Sequence, residues 1–367
     1  MSKHAILADL PQQKLAELLA GLGQPDYRAE QVFDWVHRKN TWEPVLMSNL
    51  PAGLREQLSA QFEAEPLVLR DQVKSSDGSI KYAWLTHDDH PVEAVMMPGF
   101  GYGTALCVSS QSGCPMACKF CETGYMGLKS WLSAGQILLQ LYAVERLSGM
   151  TADRMVFMGM GEPLLNLRAV KQVVNVLTSE AGRAWSPRRI TISTVGLAAP
   201  MVKLAREFPR VNLALSLHFT TEGLRREQMP EADHSLQALQ QALYFYRRFN
   251  GGKVTLEYTL ISGVNDREAD ARRLAKFARM AGLDRDSALV QEADEAPEPP
   301  RLRPLPVHVN LIAYNPIPSA DYTGSADREI SDFARLLSEA GVPVTVRRSR
   351  GQDVGAACGQ LGSRLAG

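Results

Sequence analysis

The hydrophobic pattern of the chain changes from helical to alternating near residue 100. The segments QQKLAELLAGLG and YRAEQVFDWVHRK carry apolar residues at helical spacing, and the first of them ends at a glycine. The stretch LVLRDQVKSSDGSIKYAWLTHDDHPVEAVMMP has turn residues at Ser76, Asp77 and Gly78 between two extended runs, which indicates a hairpin or meander. Residues 1–95 are therefore predicted to form an α-rich accessory domain, helical with a hairpin.

After residue 104, short apolar strands alternate with amphipathic helices, which predicts the α/β class with a parallel sheet and crossover helices. Six such units could close as a barrel or stop short as an open one. The acidic, proline-rich stretch 284–306 is predicted to be an exposed insertion, and a late strand is predicted at 343–348. The six repeated strands are predicted at 105–109, 154–158, 189–193, 211–217, 254–261 and 307–312.

Composition sets broad limits on the kind of protein. The chain has 367 residues, of which 45% are apolar and 22% charged, and this ordinary balance excludes disordered, collagenous and disulfide-dense classes. It has no apolar run of the ~18 residues that a membrane helix needs, and Asp9 lies where a signal peptide would be apolar, so we expect a cytoplasmic protein without membrane association. Residues 1–100 carry a net charge of −5 and the rest +5, a bias too weak to demand or exclude an RNA partner.

Four of the five cysteines lie within fifteen residues of one another. An odd number of cysteines in a cytosolic chain favours metal binding or catalysis over disulfides. Cys114, Cys118 and Cys121 lie between a predicted strand and a predicted helix, and their three thiolates can converge on one soft metal centre. Structural zinc takes four protein ligands, whereas a 4Fe–4S cluster held by three cysteines keeps one iron open. A structural zinc site with a distant fourth ligand is the alternative.

The CxxxCxxC spacing on a strand–helix repeat resembles the radical S-adenosylmethionine superfamily. Within that superfamily the chain is similar to the RlmN/Cfr-type rRNA adenine methyltransferase family. The similar segments are LCVSSQSGCPMACKFCETGYMGL, MGMGEPLLN, ITISTVGL, LSLHF, EYTLISGVND, NLIAYNP and VRRSRGQDVGAACGQL. The resemblance implies an incomplete (β/α)6 barrel over 96–350, RNA binding by the accessory domain 1–95, and a mobile tail over 351–367.

The same resemblance implies two cofactors. Cys114, Cys118 and Cys121 would ligate one [4Fe-4S] cluster, and the open iron would chelate S-adenosylmethionine, of which two molecules are used per turnover. Polar residues at the carboxyl ends of the predicted strands fit such a site, because a βα barrel carries its chemistry at that rim. Taken alone, GMGEP is only a glycine-rich turn and His218 a rim histidine. The residues implied in S-adenosylmethionine binding are Gly161, Glu162, Ser193, Ser216, Leu217, His218 and Asn315.

The family chemistry assigns roles to the two remaining cysteines. Carbon 2 of adenine is electron-poor and does not attack a methyl sulfonium, which explains the use of a radical. By resemblance, Cys358 accepts a methyl group, loses a hydrogen atom from it to a 5′-deoxyadenosyl radical, and adds to the adenine. Cys107 then resolves this adduct by forming a disulfide with Cys358, and Glu93 is the implied proton acceptor. The alternatives are a small buried apolar role for Cys358 and a solvated Glu93.

The surroundings of Cys358 fit a reactive thiol. Glycines at 351, 355 and 359 permit loop rearrangement, and an arginine cluster precedes them. These arginines are expected to bind an RNA backbone and to lower the pKa of the Cys358 thiol. The cluster consists of Arg347, Arg348 and Arg350.

The resemblance also implies substrates and partners. They are adenosine 2503 of 23S rRNA, a tRNA adenosine as a second substrate, and an electron donor such as flavodoxin or ferredoxin, with the enzyme acting as a monomer. The chain departs from the family pattern at Glu122, Trp131, Gln136 and Ala313, which bears on the substrate more than on the reaction. Three alternatives remain: Cfr-type methylation of carbon 8, a radical enzyme with a different substrate, and a non-catalytic RNA-binding relative.

Overall fold

Three short helices open the fold and supply the apolar face that the sequence predicts. The structure, a computed structural model, describes residues 5–99, 103–208, 210–284, 286–295 and 306–362. The first helix buries its leucines at helical spacing, and the second buries valine and phenylalanine positions in the same way. These helices are α1 (Gln12–Gly21), α2 (Tyr27–His37) and α3 (Ala52–Gln61).

One ten-stranded sheet forms the centre of the molecule, in the order β1-β2-β3-β4-β7-β8-β9-β10-β11-β12. The first four strands pair antiparallel, and all later neighbours from β4 to β12 pair parallel. Among the described residues, β1 and β12 are the free edges, so the barrel is incomplete, as predicted. The strands of this sheet are β1 (Leu67–Lys74), β2 (Ile80–Thr86), β3 (Pro91–Met97), β4 (Ala105–Cys107), β7 (Arg154–Phe157), β8 (Ile190–Thr194), β9 (Asn212–Ser216), β10 (Val254–Leu260), β11 (His308–Ala313) and β12 (Val344–Arg347). A separate two-stranded ribbon consists of β5 (Gln111–Gly113) and β6 (Leu128–Trp131).

Helices follow the parallel strands and cover the sheet. A capping box is present at the start of α5: the Ser133 hydroxyl accepts from the Gln136 amide, and the Gln136 side chain accepts from the Ser133 amide. The same helix ends at Gly149, whose left-handed φ of 67° suits glycine. No helix in the described part of the chain is both long and apolar enough to cross a membrane. The helices are α4 (Glu122–Tyr125), α5 (Ala134–Ser148), α6 (Leu167–Thr178), α7 (Ala198–Glu207), α8 (Glu222–Gln228), α9 (Leu236–Asn250), α10 (Glu268–Ala278), α11 (Ala288–Glu295) and α12 (Asp327–Glu339).

Each predicted strand is present within two residues of its expected bounds, but two expectations about organisation differ from the structure. The predicted domain boundary at residue 95 falls inside β3, because Val95 pairs with Cys107 and the hairpin strands continue the barrel sheet. The predicted insertion 284–306 contains α11, whose Val290 is buried. Positions 285 and 296–305 of the insertion lie outside the described residues.

The N-terminal helices are fixed to the barrel by buried polar contacts. His37 Nδ1 and the Tyr142 hydroxyl of α5 lie 2.8 Å apart. The Asp9 carboxylate accepts from the Gly135 amide at 2.6 Å, close to the start of the same helix. Because α5 also follows the cysteine loop along the chain, these contacts place the N-terminal helices beside the barrel element that supports the site.

Candidate active site

A cavity, here called the main cavity, opens at the carboxyl ends of the parallel strands, where a βα barrel carries its chemistry. Loops after β4, β7, β8 and β9 contribute to its walls, and Cys358 reaches it from the C-terminal segment. The fold thus brings together residues that are far apart in the sequence. The predicted site residues in its lining are Cys114, Cys118, Cys121, Gly161, Glu162, Ser193, Ser216, His218 and Cys358.

The cysteine triplet has the properties of a cluster site. Its three thiols are free, and burial raises the pKa of Cys114 to about 12 and that of Cys118 well above its ordinary value. A bound cation would offset this cost, because a coordinating thiol is deprotonated outright. Within the described residues, no three His, Cys, Asp or Glu side chains surround a single-ion position. In a 4Fe–4S cluster, three of the irons can each take one of these thiolates while the fourth stays open, whereas a structural zinc ion takes four protein ligands, so the triplet fits the cluster better than a zinc ion.

Gly161 and Glu162 form a tight corner after β7. Gly161 has a φ of 96°, and a Cβ there would lie 2.5 Å from the Cβ of Gln111, so glycine is required on both counts. The Glu162 carboxylate accepts from the amides of Leu164 at 3.0 Å and Val195 at 2.9 Å. Burial raises the pKa of Glu162 to about 7, although these amides oppose the shift. The carboxylate therefore holds the loops after β7 and β8 together at the cavity wall.

The remaining predicted cofactor residues divide into two groups. Ser193 and Ser216 end neighbouring strands, and their hydroxyls lie 3.3 Å apart in the cavity. Burial lowers the pKa of His218 to about 3, so this imidazole is neutral. Leu217 and Asn315 are outside the described cavity lining. The Leu217 side chain is fully buried in the core, and its amide donates to the Glu257 carbonyl at 3.1 Å, so its backbone donor is already engaged.

Arg225 supports this rim, although its only signal in the sequence is a charge on a predicted helix. Its side chain is 0% exposed. The guanidinium donates to the carbonyl oxygens of Leu217 at 2.6 Å and Val195 at 2.9 Å. Further bonds reach the Asp233 carbonyl. A buried arginine needs such partners, and here they fix the loops after β8 and β9.

A second cavity, here called the side cavity, adjoins the main one. Cys107 and Cys358 both line it, as do Val95 and Val156, which pair with Cys107 on the neighbouring strands. Cys358 and Arg347 line both cavities. The structure therefore places Cys358 between the cysteine triplet and Cys107. Basic residues at its rim are Arg347, Arg348 and Arg350.

The expected low pKa of Cys358 is wrong. The residue is exposed to the two cavities, but desolvation by the protein around the thiol raises its pKa, and the Arg347 guanidinium, which lowers the pKa as expected, opposes this shift only in part. Burial also raises the pKa of Cys107 to about 12, with the nearby Cys358 thiol as a second cause. Both cysteines are free in the structure, which does not support the expected disulfide between them.

The segment that carries Cys358 is docked by several hydrogen bonds. The Cys358 carbonyl accepts from Asn315 Nδ2 at 3.0 Å, so Asn315 contacts this segment. The Gly359 carbonyl accepts from the Glu122 amide at 2.7 Å. The Glu122 side chain, one of the departures from the family pattern, accepts from the Ser319 hydroxyl at 2.9 Å. This departure links the cysteine loop to the loop after β11.

Glu93 is buried, contrary to the alternative that it is solvated. Its side chain is 0% exposed and forms an ion pair with Lys81, with Nζ 2.9 Å from Oε2. The same oxygen accepts from the Gly362 amide at 2.8 Å, whereas Oε1 has no hydrogen-bond partner within the described chain. Glu93 lies on the same face of β3 as Val95, which lines the side cavity.

Two family models match the chain. Residues 6–64 match the ribosomal RNA large subunit methyltransferase N-terminal domain, and residues 108–275 match the radical SAM superfamily. The chain is also similar to a crystal structure of a radical SAM methyltransferase from Sphaerobacter thermophilus, with a TM-score of 0.85 and 38% identity. That similarity covers 97% of this chain and 98% of the other.

Curated relatives match over nearly the full length. A probable dual-specificity RNA methyltransferase RlmN from Moorella thermoacetica is 38% identical, covering 98% of both chains. A dual-specificity RNA methyltransferase RlmN from Anaeromyxobacter dehalogenans is 37% identical, covering 97% of this chain and 91% of its own. A probable RlmN from Salinibacter ruber is 38% identical over 95% of this chain and 91% of its own. The chain therefore belongs to the RlmN family of radical S-adenosylmethionine methyltransferases.

Proposed function

We propose that this protein methylates carbon 2 of adenosine 2503 in 23S rRNA, and the same carbon of a tRNA adenosine, through a methylated Cys358. The observation that carries the proposal is the position of Cys358 in the walls of both cavities. One cavity holds the cysteine triplet and the strand-end residues, and the other holds Cys107 beneath a basic rim. A thiol that must first accept a methyl group and later deliver it needs access to both.

The residues present define how the cofactors would be held. Cys114, Cys118 and Cys121 would hold the [4Fe-4S] cluster, and Glu162 with the strand-end residues Ser193 and Ser216 would bind S-adenosylmethionine. When bound, these two groups supply a methyl group and, after one-electron reduction, a radical that abstracts hydrogen. Two molecules of S-adenosylmethionine are needed because each supplies only one of these.

The protein's own residues perform the remaining steps. Cys358 accepts the methyl group on its sulfur and later joins the adenine through the carbon that it carries. Glu93, whose Oε1 is buried without a partner in the described chain, accepts the proton that leaves carbon 2. Cys107, across the side cavity, attacks the Cys358 sulfur as a thiolate and breaks the bond from that sulfur to the methylene carbon, which takes up a proton as the methylated base leaves. The unpaired electron of the adduct would return to the bound redox group, and the disulfide that remains is reduced before the next turnover.

RNA is the substrate class that fits the rim of the side cavity. Arginines at such a rim neutralise phosphates and release counterions, which favours a nucleic-acid backbone. The relatives named above are called dual-specificity RNA methyltransferases, which supports two RNA substrates. We further propose a cytoplasmic monomer that receives its electrons from a flavodoxin- or ferredoxin-type donor.

Carbon 8 is the competing position, and product analysis separates the two. The protein should be reconstituted anaerobically with iron, sulfide, a reductant and S-adenosylmethionine, and then supplied with 23S rRNA or tRNA. Nucleoside mass spectrometry against authentic 2-methyladenosine and 8-methyladenosine gives the product. We expect 2-methyladenosine from both RNAs with the parent protein and none with Cys358→Ala. 8-Methyladenosine, or methylation by the Cys358→Ala variant, would contradict the proposal.

A further inference from the structure

Lys81 and Glu93 form an ion pair buried between β2 and β3, with side-chain exposures of 2% and 0%. Removing two charges from water is costly unless further hydrogen bonds satisfy them. Both partners make such a bond to the same segment of the chain. Lys81 Nζ donates to the Gly355 carbonyl at 3.0 Å, and Glu93 accepts from the Gly362 amide at 2.8 Å. One ion pair thus holds both ends of the loop that carries Cys358.

The turn between β1 and β2 holds the chain just before this loop. The Ser75 hydroxyl donates to Asp353 Oδ1 at 2.6 Å, and the Ser76 amide donates to Asp353 Oδ2 at 3.0 Å. The Gly351 amide donates to Asp77 Oδ2 at 2.8 Å. The polar residues of this turn therefore do more than reverse the chain, because they bind a segment almost three hundred residues away.

We propose that the Lys81–Glu93 ion pair and the turn 75–79 act as a clasp that seats the Cys358 loop, Gly355–Gly362, and that Lys81 is a positioning residue for methyl transfer. The proposal rests on the proposed function for the chemistry of Cys358. The seating of the loop does not depend on which group Cys358 transfers, so an experiment can contradict the clasp without contradicting the proposed function, and the reverse.

The clasp matters because Cys358 must meet reacting groups in two cavities. Holding a reactive group near its partner replaces a search in solution by a short movement, which accounts for a large part of many rate enhancements. With both ends of the loop fixed, the thiol samples a small volume. Lys81 also keeps Glu93 Oε2 engaged, so Oε1 is the oxygen that remains available within the described structure.

Hydrogen–deuterium exchange of the full-length protein tests the clasp without any cofactor chemistry. In Lys81→Met, the donor to Gly355 and the charge partner of Glu93 are both lost. In Lys81→Met/Glu93→Gln, no unpaired charge is left buried, so the fold is kept even where the single variant is too unstable. The matched control is Arg183→Met, which breaks the buried Arg183–Glu145 pair, a pair outside the loop and the hairpin.

Local opening sets the exchange rate of protected amides. We expect exchange over 351–362 to become at least about tenfold faster in both Lys81 variants, with no change there in the control. Tryptic cleavage after Arg350 should accelerate in parallel. Asp353→Ala, at an exposed position, should loosen the start of the segment without disturbing the core. Parent-like exchange and cleavage in the double variant and in Asp353→Ala would overturn the clasp.

Turnover separates positioning from general structural damage. Folded Lys81→Met with parent iron content, which keeps Glu93, should still cleave S-adenosylmethionine but should transfer fewer methyl groups per cleavage, by about tenfold or more. The Arg183→Met control should keep the parent ratio. If neither the parent nor any variant methylates RNA, but exchange over 351–362 is faster in the Lys81 variants as expected, the proposed function is wrong and the clasp is supported. If RNA is methylated normally by the Lys81 variants, the positioning role is wrong.

Discussion

Arg347 and Glu257 form an ion pair in the wall between the two cavities, with Nη1 3.3 Å from Oε2. Glu257 is buried and also accepts at Oε1 from Thr255 Oγ1 and Asn310 Nδ2, each at 2.8 Å. This network fixes Arg347 beside Cys358. The guanidinium is therefore placed to stabilise a Cys358 thiolate in a site where desolvation disfavours one.

Arg347→Gln should make Cys358 less reactive at a given pH. Desolvation by the surrounding protein raises the pKa of this thiol, and Arg347 counteracts part of the shift, so removal of the guanidinium should raise the pKa further. The rate of alkylation of Cys358 by iodoacetamide, followed by peptide mass mapping, should move to higher pH. The matched control is Arg348→Gln, a neighbour on the same rim, which should leave the profile unchanged. An unshifted profile in Arg347→Gln would show that the guanidinium does not act on the thiol.

Cys118→Ala should abolish cluster assembly. Cys118 is the most central of the three thiols in the sequence, and a cluster left with two protein ligands would be lost. Anaerobically purified variant should lack iron and the broad visible absorption of the parent, and it should neither cleave S-adenosylmethionine nor methylate RNA. Iron content equal to that of the parent would remove Cys118 from the ligand set, whereas stoichiometric zinc without iron in the parent would favour the structural-metal alternative.

The strands and the gathering of site residues at one rim could be predicted from sequence because both follow from local patterns. Apolar runs set each strand, and parallel pairing brings the carboxyl ends together, so Gly161, Ser193 and Ser216 had to meet. The continuity of β3 with β4 could not be predicted, because antiparallel pairing across the segment around residue 100 has no local signal.

Other features depend on burial and on contacts distant in sequence. The ion pair between Lys81 and Glu93 joins residues on neighbouring strands, and its contacts with the C-terminal loop span about 270 residues. The direction of the pKa shift of Cys358 was predicted wrongly, because nearby arginines are visible in the sequence whereas desolvation of the thiol by the folded protein is not. Arg225 and Glu257 were missed for the same reason: a charged residue reveals its role only when its buried partners are known.

Acid should weaken the attachment of the N-terminal helices through His37. Burial, with a smaller contribution from Arg183, lowers the pKa of this imidazole from 6.5 to about 3. The folded state thus binds fewer protons than the unfolded state, so the stabilisation is complete above pH 6.5 and is lost as the pH falls toward 3. The titration of His37 alone should lower the free energy of unfolding by about 2 kcal/mol between pH 7 and pH 5.

Chemical denaturation at pH 7 and at pH 5 gives the free energy of unfolding of the parent and of His37→Gln. The fall between the two pH values should be larger in the parent, and the difference between the two falls is the contribution of His37. The glutamine can keep a hydrogen bond to Tyr142 but does not titrate. Equal pH dependence in parent and His37→Gln would mean that His37 does not stay neutral in the folded state.

Cys107→Ala should trap the protein on its RNA. The proposed adduct joins Cys358 to carbon 2 of the adenine, and it cannot fragment until a thiol attacks the Cys358 sulfur. Cys107 lines the side cavity with Cys358. In the proposed mechanism it makes that attack and has no part in methylation of Cys358. Removing Cys107 therefore leaves the early steps intact and blocks only release of the RNA.

The Cys107→Ala variant should accumulate a nuclease-sensitive protein–RNA species on a denaturing gel, with the link mapped to Cys358 by mass spectrometry. Cys107→Ala/Cys358→Ala, which cannot carry the methyl group, should form no such species. If Cys107 only packs on β4, its replacement would lower stability slightly, and free methylated adenosine would appear without an adduct.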